Sequence, residues 1–183
     1  MTLTEIRSAS DPLYADVAAS YAASFPINEQ RTPEQQAEAF ADTRYRLLAW
    51  HDGKSLIAFM GCWTLSQCLY VEHFAVEQTQ RGKGTGSAPL SRFCRETATT
   101  IILEIDPPDD DISRRRLRFY ERIGFRHNGF SHLHPPYRQG FTAHSLHIMS
   151  YPRLLTDSEY AAFCTGLTHT VMHLPHGQNR AKS

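Results

Sequence analysis

Cysteine is scarce in this 183-residue chain: Cys62, Cys68, Cys94 and Cys164 are the only four, and none forms a Cys-x-x-Cys pair. That scarcity argues against a disulfide framework, and a core of this size needs neither disulfide nor metal to fold. No secretory leader is visible, and no apolar run approaches the roughly 18 residues that a membrane-spanning helix requires. Net charge is also lacking, with 19 Lys and Arg against 19 Asp and Glu. Such a balance excludes wholesale attraction to nucleic acid or to an anionic membrane. Internal repeats, low-complexity tracts and linkers are absent too. These absences predict a reduced cytoplasmic protein, monomer or homodimer, with neither nucleic acid nor membrane as partner.

What the chain does have is the run Arg81-Gly82-Lys83-Gly84-Thr85-Gly86. It follows the apolar stretch Leu69 to Val76 and opens a segment, Ser87 to Ala98, that reads as a helix. Glycines at alternate positions let the backbone turn tightly and bring N–H groups close to a ligand. A helix N-terminus facing the same space favours an anion. The run therefore reads as a phosphate cradle. Around it, Tyr45 to Trp50 and Leu56 to Thr64 are strand-like and joined by the hairpin signal His51-Asp52-Gly53-Lys54. Thr100 to Asp106 is a near-continuous apolar strand, Asp109 to Ile123 a helix, and Phe125 to Phe130 and Ser145 to Tyr151 are further strands. Asp11-Pro12, Thr32-Pro33 and Thr156-Asp157 each carry a helix-start signal, whereas Leu3 and Ile6 do not alternate and mark only a weak first strand. The class is a mixed α/β sheet with helices on both faces.

Two nucleotide motifs fail on spacing. A P-loop needs a glycine where Glu77 stands and Ser or Thr where Gly84 stands. A dinucleotide fingerprint needs Gly or Ala at Ser87 or at Pro89. A third pattern fits: Arg81-x-x-Gly84-x-Gly86 directly after a strand ending Phe74-Ala75-Val76 resembles motif A of the GNAT N-acetyltransferase superfamily, where it binds the pyrophosphate of coenzyme A. Tyr120-Glu121-Arg122-Ile123-Gly124-Phe125 resembles the superfamily's second signature and stands at the matching distance. Together the signatures cover roughly residues 69 to 130. The resemblance implies an α/β (α+β), GNAT-like, mostly antiparallel sheet of six to seven strands, with helices on both faces and a splay between the fourth and fifth strands. It implies one GNAT-like domain over residues 1–174, followed by a flexible tail at 175–183.

The function that follows is transfer of an acetyl group from acetyl-CoA to a primary amine of a small molecule or peptide, by direct attack in a ternary complex. A non-catalytic acyl-CoA binding or sensing module is the alternative. Acetyl-CoA is the implied co-substrate, held by Phe74, Ala75 and Val76 along the pantetheine arm and by Arg81, Gly82, Lys83, Gly84, Thr85, Gly86 and Ser87 at the pyrophosphate. Ser113 stands where many members place an asparagine contact, and Arg116 stands where many have a small residue. Tyr120 occupies the place of a tyrosine that protonates the departing sulfur. Superfamily members that use a carboxylate base often draw it from the strand before the glycine run, which here selects Glu72. By strict alternation Tyr70, Glu72 and Phe74 share one strand face while Val71, His73 and Ala75 share the other, so His73 ranks second as base. Glu104 and Asp106, on the adjoining strand, are further candidates for holding the acceptor. The acceptor pocket is expected from Phe25 to Arg31 and His132 to Phe141.

Bland readings stand beside these. The cysteines read as core thiols. Asp110–Arg114 and Asp111–Arg115 have i,i+4 ion-pair spacing that accounts for the arginines at 114–118 without a ligand. The pairs His132/His134, His144/His147 and His169/His173 have ligand-like spacing, but no carboxylate accompanies them as in metalloprotease motifs, and no metal is expected.

Overall fold

The computed structural model describes residues 1–81 and 86–172. Among these, five α-helices and eight strands alternate with short turns. The strands are β1 (Thr2–Ile6), β2 (Tyr45–His51), β3 (Leu56–Thr64), β4 (Cys68–Val76), β5 (Thr100–Ile105), β6 (Arg126–His127), β7 (His132–His134) and β8 (His144–Tyr151). The helices are α1 (Tyr14–Ser24), α2 (Pro33–Ala41), α3 (Ser87–Glu96), α4 (Asp111–Ile123) and α5 (Asp157–Gly166). Residues 82–85, the interior of the glycine run, and the expected tail at 175–183 lie outside the described residues.

The sheet runs β1-β2-β3-β4-β5-β8-β6, with β7 also paired to β8. All ladders are antiparallel except β4 with β5, which is parallel. Local sequence sets most of the element ends. Asp52 Oδ1 accepts from the Lys54 and Ser55 N–H groups, and Gly53 adopts φ +92°, closing the β2–β3 hairpin. Thr32 with Gln35, Asp110 with Ser113 and Thr156 with Glu159 form reciprocal capping boxes on α2, α4 and α5. Gly124 ends α4 at φ +111°. The start of α1 differs from the expectation. Asp11 Oδ1 accepts from the Leu13 N–H, and the helix begins two residues beyond Pro12 without a side-chain cap.

Two cores sandwich the sheet. One packs Val17 of α1, Ala39 of α2 and Phe163 of α5 on Phe59, Trp63, Tyr70 and Ile102. The other packs Leu90 and Cys94 of α3 and Tyr120 of α4 on Met60, Val71, Ile101 and Leu103. The strand count exceeds the expected six to seven because Phe125 to Phe130 does not form one strand. At Asn128 the side-chain amide turns inward and donates to the Arg126 and Ile148 carbonyls and to Ser150 Oγ, ending β6 after two residues. The chain then re-pairs with β8 as β7. β1, weak in pattern, forms because β2 offers it a five-residue antiparallel ladder that buries Ile6.

Candidate active site

The parallel ladder of β4 and β5 lasts four pairs, from Cys68 opposite Thr100 to Val71 opposite Leu103, and stops there. Beyond that point β4 stays on β3 as far as Val76, and β5 stays on β8 as far as Ile105. The two strands therefore splay, as expected.

At the same point β4 slips against β3: Val71 pairs with Cys62 and His73 with Gly61, so Glu72 is the extra residue of a bulge. The bulge resets the alternation and corrects the expected face assignment. Tyr70 and Ala75 belong to the α1/α5 core, and the His73 ring packs against Tyr21 and Phe25 on that same side, 4.9 and 4.8 Å between centroids. Val71, Phe74 and Val76 pack on the α3/α4 side. Glu72 and His73 thus face the same way, and His73 does not point away from Glu72.

On the α1/α5 side the splay opens into a cleft of about 440 Å³, its mouth included. Phe25, Glu29, His134 and Tyr137 contribute to its walls, so both segments expected around an acceptor reach it. Those segments are tied together: Arg138 donates to the carbonyls of Gln30 (2.9 Å) and Arg31 (3.2 Å), and Gln35 donates to the Tyr137 carbonyl (2.8 Å).

Two carboxylates flank the splay at depth. Glu72 Oε1 accepts from Arg31 at 2.6 Å and Oε2 accepts from the Trp63 indole at 2.7 Å, with the ion pair's side chains 2% and 0% exposed. Burial on its own would raise the Glu72 carboxyl, but the Arg31 charge, helped by His73, holds it below the ordinary value. Glu104 accepts from the Tyr70 hydroxyl and from His132 Nε2. Burial again opposes ionisation, and His134 and His132 outweigh it, so Glu104 is also held down. His73 donates from Nε2 to the Glu29 carbonyl at 2.9 Å, while its Nδ1 lies 3.9 Å from Glu72 Oε1. Burial lowers its pKa, with the Glu72 charge and the Glu29 carbonyl opposing that shift. At the rim Asp106, just past the end of β5, is bonded by Arg116 of α4.

The α3/α4 side differs. Phe74 stacks on Phe119 (6.4 Å, 16°), and Tyr120 packs edge-on against Phe119 and Phe125. The Tyr120 side chain makes no hydrogen bond within the described residues, and burial raises its hydroxyl to about 12, with Arg116 working against that rise. Arg81 folds back, donating from Nε to the Val76 carbonyl at 2.9 Å and from its terminal nitrogen to Ser24 Oγ at 3.1 Å. Gly86 ends the turn against β4; a Cβ there would lie 2.4 Å from Val76 Cγ2, so only glycine permits this approach. Ser87 opens α3, whose N-cap Gly86 provides no side-chain cap. Ser113 is buried, and its hydroxyl serves the capping box with Asp110. Gly82, Lys83, Gly84 and Thr85, expected at the pyrophosphate, lie outside the described residues.

Cys62, Cys68 and Cys94 are buried, and burial pushes each thiol up to about 12. Arg114 pairs with Asp111 at 2.9 Å, an i,i+3 pair in place of the expected i,i+4 ones. No helix among the described residues is long and apolar enough to cross a membrane.

Residues 11–125 match the model of the Acetyltransferase (GNAT) family. The chain belongs to that family. A Bacillus subtilis (strain 168) protein assigned as an acetyltransferase, YjbC, is 29% identical over 105 residues, 56% of this chain. The match spans 53% of that relative, about half its length. A solved GNAT-family structure from Bacteroides thetaiotaomicron, likewise assigned as an acetyltransferase, superposes with a TM-score of 0.87 at 25% identity, over 96% of this chain and 100% of that one. A Bacillus subtilis acetyltransferase solved in complex with CoA superposes with a TM-score of 0.54 at 15% identity, over 81% and 95% of the two chains. At that identity the likeness is one of fold alone. The GNAT sheet, with its parallel β4–β5 pair and the helices on both faces, is thus common to this chain and these structures, and membership supports acyltransferase chemistry with an acyl-CoA.

Sequence reasoning missed Arg31 and Trp63, the two groups that hold Glu72. They lie 41 and 9 residues from it in the chain and follow no local motif. The bulge had one signal, Gly61 in the middle of an otherwise bulky strand.

Proposed function

We propose that the protein is an N-acetyltransferase that moves an acetyl group from acetyl-CoA to a primary amine of a small molecule or peptide, by direct attack in a ternary complex. The observation that carries this reading is the two-sided splay: an acidic, aromatic cleft on one face and Tyr120 with Phe74 on the other. In this reading residues 1–174 act as one catalytic domain. Acetyl-CoA enters along β4 from the α3/α4 side, with the thioester at the splay beside Phe74, Ala75 and Val76. Gly86, Ser87 and the turn 82–85 receive the pyrophosphate at the start of α3, where helix N–H donors suit an anion. Arg81 braces β4 against that turn, and Ser113 fixes the start of α4 beside it.

The amine attacks the thioester carbon from the cleft side. The carbon–nitrogen bond forms as the carbon–sulfur bond breaks, and Tyr120 protonates the sulfur. Its raised pKa keeps the proton in place until it is needed, and Arg116 favours its release. Glu72 has both oxygens engaged by Arg31 and Trp63, so its part is to hold that wall of the cleft in place and not to take the amine's proton.

Thermal shift with acetyl-CoA tests the donor half: at 100 times its dissociation constant the ligand adds about 2.7 kcal/mol. Tyr120→Phe tests the chemistry. With an acceptor found by thiol release from an amine panel, kcat falls by about a hundredfold while acetyl-CoA binding holds. Unchanged turnover would remove Tyr120 from the mechanism and favour a module that only binds acyl-CoA.

A further inference from the structure

Resting on that reading, one atom in the cleft has no structural employment. His134, on β7, is 1% exposed. Its Nδ1 lies 2.6 Å from the Pro135 carbonyl, which can only accept, so Nδ1 carries a proton; in the neutral ring Nε2 then holds a lone pair. That Nε2 is buried with no hydrogen-bond partner among the described residues. The atom facing it is Glu104 Oε2, 3.7 Å away, itself an acceptor that already receives the Tyr70 hydroxyl. With the ring neutral, two acceptors face one space without a donor between them, an unsatisfied pair in a buried setting that is costly unless a ligand supplies the donor. Tyr137 lies against the His134 ring at 5.0 Å and 26°, which fixes its plane.

The charge of the surroundings says what the donor is. Arg31 pairs with Glu72 and Arg116 with Asp106, leaving Glu29 and Glu104 as the cleft carboxylates without an arginine or lysine ion pair among the described residues. A nitrogen bearing hydrogens and positive charge fits; an anion or a carbonyl compound does not.

We propose that the acceptor's amino group is received between His134 Nε2 and Glu104 Oε2, and that His134 takes the proton the attacking nitrogen releases. Glu104 balances the imidazolium so formed, and Tyr70 and His132 hold Glu104 in place. Bonds and protons close: the bound ammonium first gives one proton to His134, which passes it to solvent; the neutral amine then attacks, gains the acetyl group and gives a second proton to His134, the sulfur gains one proton from Tyr120, and solvent restores both residues. His134 is then a catalytic residue, Glu104 its partner, and His73 a wall of the cleft.

Histidine-¹⁵N NMR on the CoA-saturated protein tests this, with tyramine and spermidine as probe amines and His134→Asn for assignment. The expected result is an unprotonated His134 Nε2 at neutral pH whose resonance moves on adding either amine. A doubly protonated resting ring, or a resonance that neither amine moves, would overturn the proposal. Thiol release from acetyl-CoA with any amine that turns over gives a second reading. His134→Asn is expected to lower kcat about a hundredfold or more with acetyl-CoA binding unchanged; wild-type kcat in that variant would overturn it as well. Absence of any acetyl-CoA thermal shift would be a failure of the proposed function itself, whereas normal acetyl-CoA binding with a silent His134 would be a failure of this inference alone.

Discussion

The two sides of the β4–β5 splay bury comparable depth of structure with opposite chemistry. On the α3/α4 side Tyr120, Phe119, Phe74 and Phe125 form an aromatic wall whose one polar group, the Tyr120 hydroxyl, makes no hydrogen bond among the described residues. On the α1/α5 side two ionised carboxylates, Glu72 and Glu104, sit fully inside, each with both oxygens bonded. The apolar side is stable by packing and is open to a ligand's uncharged arm. The polar side is stable only while each charge keeps its partner, because an isolated buried charge is far more expensive than a missing apolar contact. The lesson is that in this fold chemistry and fragility lie on the same side of the sheet.

The sharpest way to break that contrast is Arg31→Met, which leaves Glu72 buried without its cation. Unfolding in urea is expected to show a loss of about 3–5 kcal/mol. Adding Glu72→Leu to that variant is expected to restore most of it, since a pair of apolar residues replaces a buried ion pair at little cost. If the single and double variants were equally unstable, packing and not charge would govern this side.

On the other side the largest effect should be steric. Gly86→Ala puts a methyl group 2.4 Å from Val76 Cγ2. The expected cost is about 1–3 kcal/mol in the same measurement, together with weaker acetyl-CoA binding as the turn is pushed off β4. A variant of wild-type stability and affinity would show that the turn does not rest on Val76.

Acid gives a smaller and slower test. Burial depresses His73 below its ordinary 6.5, with Glu72 opposing that shift, and His144 is depressed by burial too. The unfolded chain therefore takes up protons that the folded chain refuses as pH falls through 6.5. Stability is expected to be full above that value and to decline below it, by up to about 1.4 kcal/mol per pH unit for a single such group until its folded pKa is reached. His73→Gln should flatten the slope in a pH series of thermal melts; an unchanged slope would place the proton uptake elsewhere.

These tests also separate what the sequence declares from what only the fold assembles. The β4 strand, the glycine turn, α3, β5, α4 and Gly124-Phe125 are legible because each depends on neighbours in the chain: a cap, a breaker, a run of apolar residues. Tyr120 and Glu72 are nameable for the same reason. The bulge is not, because alternation is read by counting and one inserted residue turns every later side chain over; Gly61 is the only trace of it. Arg31 reaches Glu72 from 41 residues away, and His134 reaches Glu104 from a three-residue strand that forms only because β8 offers it an edge. Pairings at that range leave no period to detect.

The most direct test of the central claim, that the splay is where donor and acceptor meet from opposite faces, is a crystal structure of the protein with acetyl-CoA. The pantetheine arm is expected along β4, the sulfur within hydrogen-bond reach of the Tyr120 hydroxyl and the acetyl group turned toward the cleft of Glu72, Glu104 and His134. Cofactor bound outside the splay, or a sulfur turned away from Tyr120, would contradict it.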